Sequence, residues 1–219
     1  MRQLISQNKW FFFPYLVIII VTGFLLIFFS KAEIHLYVNR YNSGFFDVFF
    51  KYLTNFGDGI CLPAFLLILL IIRRFRDGLY LVIVFLISGF IVQLLKRSVF
   101  HDIARPVKFF GETVHLQLVN GVDQLCCNSF PSGHSATAFG FYLCFAIVSR
   151  NKFIKLSMFI LACLVAFSRV YLSQHFLIDI FAGSLIGVIT AIACYNWIYT
   201  LKGNWLDKNL RTINLKKTK

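Results

Sequence analysis

His175 and Asp179 stand four positions apart, a spacing that puts two side chains on one face of a helix. A carboxylate so placed can accept a hydrogen bond from one imidazole nitrogen. That fixes the tautomer and leaves the other nitrogen free as a nucleophile. The same pair could instead lock two helices together. Upstream, Pro131-Ser132-Gly133-His134 reads as a helix start: proline suits the position, serine can cap it, and glycine leaves the backbone amides open. Such a start favours an anion, because its free N–H groups and its dipole act in the same sense. His134 beside it could give a proton to a departing oxygen, the alternative being a plain serine cap. Cations come from Lys96-Arg97, from Arg105 ahead of Pro106, and from Arg169 after Ser168. Arginine can grip phosphate oxygens with a two-pronged fork, whereas lysine acts as a point charge. Arg105 should be extended, since it precedes proline. One of Lys96 and Arg97 is expected only to mark a helix end. Cations, an anion-binding helix start, a His–Asp pair and an acid histidine together suit phosphoryl transfer, which depends on positioning and charge neutralisation. No carboxylate cluster suggests a divalent metal.

These residues must be held by elements that lie in a membrane. The chain of 219 residues is 58% hydrophobic and 14% charged, with 27 Phe and a mean hydropathy of +0.74. Soluble domains average about 45–50% apolar and about 25% charged residues. Lipid must therefore cover part of this surface. The net charge of +13 does not point to nucleic acid, because the basic residues sit in short runs between apolar segments. The six cysteines show neither zinc spacing nor a disulfide framework.

Six apolar segments are expected to span: Trp10–Phe29, Gly59–Ile72, Gly78–Leu95, His134–Val148, Phe153–Phe167 and Phe176–Leu201. The second is short and borrows from the amphipathic stretch Phe45–Phe56; five spans is the fallback. The first is too long for a cleaved signal segment and no small-residue cleavage site follows it. The expected fold is thus an all-α polytopic membrane bundle of six transmembrane helices. It forms a single domain over 1–219, with its motif region at 96–179 and a basic cytoplasmic tail at 202–219. Most basic residues fall at the N-terminus, in the turns Arg73–Arg76 and Arg150–Lys155, and in that tail. The positive-inside rule puts those regions in the cytoplasm. The loops Ser30–Asp58, Lys96–Pro131 and Ser168–His175 are then outside, and all three polar clusters meet on the outer face.

The three clusters resemble the blocks of the type-2 phosphatidic acid phosphatase family, which also includes acid phosphatases and vanadium haloperoxidases. That family reads Lys-x6-Arg-Pro, Pro-Ser-Gly-His and Ser-Arg-x5-His-x3-Asp. Pro131–His134 and Ser168–Asp179 match the second and third blocks without change. The first block has eight residues between Lys96 and Arg105 instead of six, so that an insertion of two would return Lys96 to its role. The resemblance implies a phosphohistidine on His175, orientation by Asp179 and protonation of the leaving group by His134. It implies that Lys96, Arg105, Ser132, Gly133 and Arg169 hold the phosphate, with no metal and no cofactor. The expected activity is hydrolysis of a phosphomonoester or pyrophosphate of a lipid. Candidates are undecaprenyl pyrophosphate, phosphatidylglycerol phosphate, phosphatidic acid and lipid A. The alternatives are a lipid-to-lipid phosphotransferase using the same site and a non-catalytic lipid-phosphate binding or transport protein. The expected partners are the lipid phosphate substrate and membrane lipids, not nucleic acid. The expected location is a bacterial inner membrane with the site facing the periplasm or exterior.

Overall fold

The computed structural model describes residues 1–210, apart from the side chains of Leu62 and Ile72. Every regular element among them is helical. The tail expected at 202–219 lies outside the described residues from 211 onward. In chain order the α-helices are α1 (Arg2–Gln7), α2 (Lys9–Phe28), α3 (Lys31–Asn39), α4 (Gly44–Leu53), α5 (Leu62–Ile72), α6 (Phe75–Ser98), α7 (Pro106–Phe110), α8 (Gly133–Val148), α9 (Lys152–Tyr171) and α10 (Leu177–Thr200). Two 3-10 turns, Thr54–Gly57 and Gly59–Cys61, join α4 to α5.

Four of these helices, α2, α6, α9 and α10, are long and apolar enough to cross a membrane. The stretches Gly44–Gly57 and Gly59–Ile71 together would make a fifth crossing, bent by 64°. α8 is apolar but has only 16 residues, or about 24 Å at about 1.5 Å per residue. That falls short of the roughly 30 Å hydrocarbon thickness. Its position explains how a short helix is tolerated. Ten of its 16 residues are buried, and α6, α9 and α10 pack around it, so its neighbours rather than its own length meet the lipid. α2 has the opposite character, with Phe13, Leu16, Ile20, Phe24 and Ile27 exposed along its length, as a lipid-facing helix requires. The chain is an integral membrane helical bundle.

Several expected boundaries shift. Lys96 and Arg97 are not in a loop but in the last turn of α6, and Ser168 and Arg169 close α9. Basic residues there sit favourably against the helix dipole. His175 is not on the helix at all. It stands two residues ahead of α10, and Asp179 reaches it from the helix's first turn by accepting from the Phe176 N–H at 2.9 Å. The pairing is made by the helix cap rather than by two residues stacked on one helical face. Arg105 is extended as its proline requires, but Pro106 then opens the short helix α7. Pro14 lies inside α2, past its first turn.

Glycines set how close α8 and α10 come. A Cβ at Gly183 would meet the Ser132 carbonyl oxygen, with the Ser135 Cβ at 3.0 Å; one at Gly187 would meet the Ala136 carbonyl and lie 2.7 Å from the Gly140 nitrogen. The Gly183-x3-Gly187 spacing thus lets two backbones touch, as in other membrane helix pairs. Gly183→Ala is expected to force α8 away from α10, lowering the melting temperature and phosphatase turnover together. Overpacking of this kind costs about 1–3 kcal/mol. Gly89→Ala is the control: nothing lies within 4 Å of a Cβ there, and both readouts should stay at wild-type values.

Candidate active site

The α8–α10 contact brings the second and third motifs together. The Ser132 N–H donates to the Asp179 carbonyl at 3.0 Å, so the first turns of the two helices abut. Ser132 is the N-cap of α8, its Oγ accepting from the Ser135 N–H at 3.4 Å, and Gly133 is the first helical residue. A Cβ on Gly133 would meet only Val92, at 3.8 Å, so the backbone there is open to close approach.

His175 and Asp179 are each 2% exposed, with His175 Nδ1 3.3 Å from Asp179 Oδ2. The same oxygen accepts from Ser129 Oγ at 2.5 Å and from the Phe176 N–H at 2.9 Å. Three hydrogen bonds hold the carboxylate in its ionised form without a full ion pair. Burial pushes the His175 imidazole down to about 3, with Asp179 acting in the opposite sense. The ring is therefore neutral at ordinary pH, with Nδ1–H turned to Asp179 and Nε2 carrying a lone pair.

The backbone presents this ring through a tight turn after α9. The Arg169 carbonyl accepts from the N–H groups of both Gln174 (2.9 Å) and His175 (3.1 Å), and Ser173 takes a φ of 55°. That left-handed conformation is uncommon for a non-glycine residue. Its hydroxyl is held from α3, by His35 Nε2 at 3.2 Å and by the Asn39 amide at 3.5 Å. His35 is 1% exposed and lies between the rings of Phe110 and Phe176, and burial pushes it down to about 4.

The cations arrive from three other elements. Arg105 is 6% exposed; it donates through Nε to the Cys127 carbonyl (2.8 Å) and through Nη1 to the carbonyl and side-chain oxygens of Gln174 (3.1 and 3.3 Å). Burial lowers its guanidinium from the ordinary range, and Asp179 opposes that shift. Arg169 is 8% exposed and donates through Nη1 to Thr54 Oγ1 at 2.8 Å, while its Nε has no partner among the described residues. Lys96 Nζ donates to the Asn128 carbonyl at 2.8 Å. Because α6 stays helical to Ser98, the two extra residues of the first motif are taken up in the turn from 99 to 104, where Asp102 has a φ of 62°. Arg97, one residue on, is exposed.

His134 is partly buried, and its ring makes no hydrogen bond among the described residues. Arg169, His175, Arg105 and Lys96 are all close enough to act on it electrostatically. The 3-10 turn Thr54–Gly57 covers it: a Cβ at Gly57 would lie 3.2 Å from the His134 carbonyl oxygen and 3.4 Å from its Cβ. The structure therefore gathers His134, His175, Asp179, Ser132, Gly133, Arg105, Arg169 and Lys96 at one end of the bundle.

Sequence reasoning missed Ser129, Thr54, Gln174 and His35. Gln174 lies inside the third motif's variable stretch, where no residue type is singled out. Ser129 sits in a loop and Thr54 in the amphipathic stretch Phe45–Phe56, neither with a distinguishing pattern. A histidine at 35 in the outer loop Ser30–Asp58 was the one available signal.

Lys96→Ala is expected to lower turnover more than Arg97→Ala, as kcat/KM of the purified variants would register. Small, equal losses would mean that Arg105 and Arg169 hold the anion alone.

A membrane-embedded helical bundle with a neutral His175, a second histidine beside it, three convergent cations and an open helix N-terminus at one end is chemically suited to an anionic, phosphate-like group. The sequence profile of the PAP2 superfamily matches residues 77–202, and the chain belongs to that superfamily. A stretch of 148 residues is 28% identical to lipid A 4'-phosphatase of Porphyromonas gingivalis, covering 65% of this chain and 61% of that protein. Another of 103 residues is 27% identical to the undecaprenyl-diphosphatase BcrC of Bacillus subtilis, covering 47% of this chain and 49% of that protein. The chain thus matches less than two thirds of either relative's length. Its fold superposes on the crystal structure of Aquifex aeolicus LpxE with a TM-score of 0.67 at 28% identity, over 75% of this chain and 93% of that one. It also superposes on a transmembrane PAP2-type phosphatidylglycerolphosphate phosphatase of Bacillus subtilis, with a TM-score of 0.64 over 93% and 100% of the two chains. At 20% identity this second likeness speaks for the fold alone.

Proposed function

We propose that this protein is a lipid phosphatase of the bacterial inner membrane, crossing it six times, that works through a phosphohistidine without a metal. The observation that carries the reading is the buried His175, 3.3 Å from Asp179, with His134, Arg105 and Arg169 close enough to act on it electrostatically.

His175 Nε2 attacks the phosphorus in line with the leaving oxygen. The N–P bond forms as the P–O bond breaks, and the imidazolium that develops keeps its Nδ1–H on Asp179 Oδ2. Arg105, Arg169, the Gly133 amide and Ser132 take up the charge on the equatorial oxygens, with Lys96 at the edge. His134, protonated once the phosphate anion is bound beside it, gives its proton to the departing lipid oxygen and becomes neutral. In the second half it takes a proton from water, which attacks the phosphohistidine, returning inorganic phosphate and a neutral His175.

Relatives that act on lipid A and on undecaprenyl diphosphate support a phosphate on a lipid anchor as the substrate. The basic turns Arg73–Arg76 and Arg150–Lys155 lie at the bundle end opposite the site, which supports an outward-facing site. The reading of six crossings counts the short apolar α8 beside the four long helices and the bent pair.

Activity of the purified protein is expected to survive excess chelator and to be inhibited by vanadate, which mimics five-coordinate phosphorus. A panel of lipid A, polyprenyl diphosphates and phospholipid monoesters then ranks substrates. Loss of turnover on chelation, restored by magnesium, overturns the mechanism. Orientation is read separately: a membrane-impermeant maleimide should label the exposed native Cys126 in intact cells. Lys202→Cys, in a C126S/C127S background, should label only after permeabilisation.

A further inference from the structure

A cavity of about 680 Å³ opens at the other end of the bundle from His175. It lies where α5 turns into α6, α8 turns into α9, and α10 ends. α6 alone, at 24 residues, separates the two ends by about 36 Å at about 1.5 Å per residue. The volume is within the range of small-molecule sites, about 300–1,000 Å³. Its basic lining residues are Arg73, Arg74, Arg150 and Lys155, against the single acid Asp77.

The charges in this cavity are not balanced from within. Lys155 is 6% exposed, yet its Nζ donates only to neutral oxygens, the Gln7 carbonyl at 2.7 Å and Asn8 Oδ1 at 2.6 Å. A buried ammonium without a carboxylate is costly unless an anion joins it. Arg73 and Arg150 make no ion pair among the described residues. The nearby acids are already engaged: Asp77 accepts from Tyr199 Oη at 2.5 Å and pairs with Arg74, and Asp207 takes Arg76 through two bonds of 3.1 Å. Residues 211–219 add no acidic side chain. A topology signal needs basic residues near a helix end, but it does not need them to converge on one cavity from separate turns. Arg76, by contrast, is spent structurally, capping the last carbonyls of α10 at Ile198 and Leu201.

We propose that this cavity binds a phosphate group, held by Arg73 and Arg150 above the buried Lys155, with Tyr195 as a side wall. The volume exceeds what bare phosphate fills, so the ligand is the phosphate of a lipid headgroup or free inorganic phosphate with water. The site is distinct from the catalytic end and does not depend on the mechanism assigned there.

Two probes separate the sources, both with full-length protein in phospholipid-free detergent. Equilibrium dialysis measures binding of radiolabelled inorganic phosphate, and native mass spectrometry measures binding of dioleoyl phosphatidylglycerol. Arg73→Gln/Arg150→Gln is expected to weaken binding of at least one probe by tenfold or more. Loss confined to the lipid assigns a headgroup site; loss of both assigns a site that free phosphate suffices to fill. Arg169→Ala removes catalytic-end binding, and the basic-cavity component should persist in it. If the double variant binds both probes as tightly as wild type, the proposal is overturned. Should the double variant lose stability, Arg150→Gln alone carries the test, since that side chain is exposed. A several-fold loss is expected there, and unchanged affinity overturns the proposal equally.

Discussion

His175→Ala is expected to abolish hydrolysis of lipid phosphates and of an activated aryl phosphate alike. The two other buried or half-buried imidazoles offer no oriented nitrogen for the proposed covalent bond: His35 is walled in by Phe110 and Phe176 and hydrogen-bonded to Ser173, and His134 has no carboxylate partner among the described residues. His134→Ala has a different expected signature. Loss of a general acid costs on the order of 10² to 10⁴ in rate on a substrate whose leaving oxygen needs a proton. On the aryl ester, which leaves as a stabilised anion, the loss should be much smaller. Acid-labile phosphate should be trapped on the His134 variant and absent from the His175 variant. Identical responses of the two variants to leaving-group ability would reverse or remove these roles. The protonation state gives a second check. His175 is depressed from 6.5 to about 3, so it holds no proton on Nε2 above about pH 4 and its charge should not change between pH 5 and 8. Histidine NMR of the free protein should show no titration in that window that disappears in His175→Ala. A resonance that moves near pH 6.5 and is missing from the variant would mean that the ring is less buried than described.

Arg169→Ala should be the next most damaging change, lowering kcat/KM by on the order of 10² to 10³, the usual effect of removing one charged donor from a developing oxyanion. The residue has three connections. Its carbonyl holds the turn that presents His175, its Nη1 fixes Thr54 in the turn covering His134, and its Nε has no partner among the described residues. A buried, unpaired donor beside a nucleophile is what an incoming phosphate oxygen would satisfy. The backbone role survives substitution, so the expected loss comes from the guanidinium. Arg169→Lys should recover little, since an ammonium cannot both hold Thr54 and present a second donor in the plane of the fork. Thr54→Val separates the two duties: it removes the anchor and leaves the charge, and a loss of about tenfold or less is expected. Full recovery by lysine would show that charge alone is needed there.

How far these residues could be read in advance depends on the range of the interactions that place them. The lipid-facing character of the chain was legible because it follows from composition: so much phenylalanine and aliphatic surface cannot be buried within 219 residues. The helix start at Ser132 and the closeness of His175 to Asp179 were legible because both are local, within three or four positions. Even there the geometry differed from the one that the spacing suggests. Asp179 reaches His175 through the cap of α10, not across a continuous helical face, because His175 is outside the helix. The convergence of Arg105, Arg169 and Lys96 needed chain reversals that no local pattern encodes. Those reversals run through Asp102 and Ser173, non-glycine residues at positive φ whose conformation is held by partners far along the chain, Asn128 for the first and His35 for the second. The count of helices long enough to span was also decided by tertiary structure. α8 can be short because three neighbours surround it, and a helix's own sequence does not state what will surround it. Close contact between Gly183 and the Ser132 carbonyl then brings two separately readable motifs to one point, since only backbones without an intervening Cβ can approach that closely.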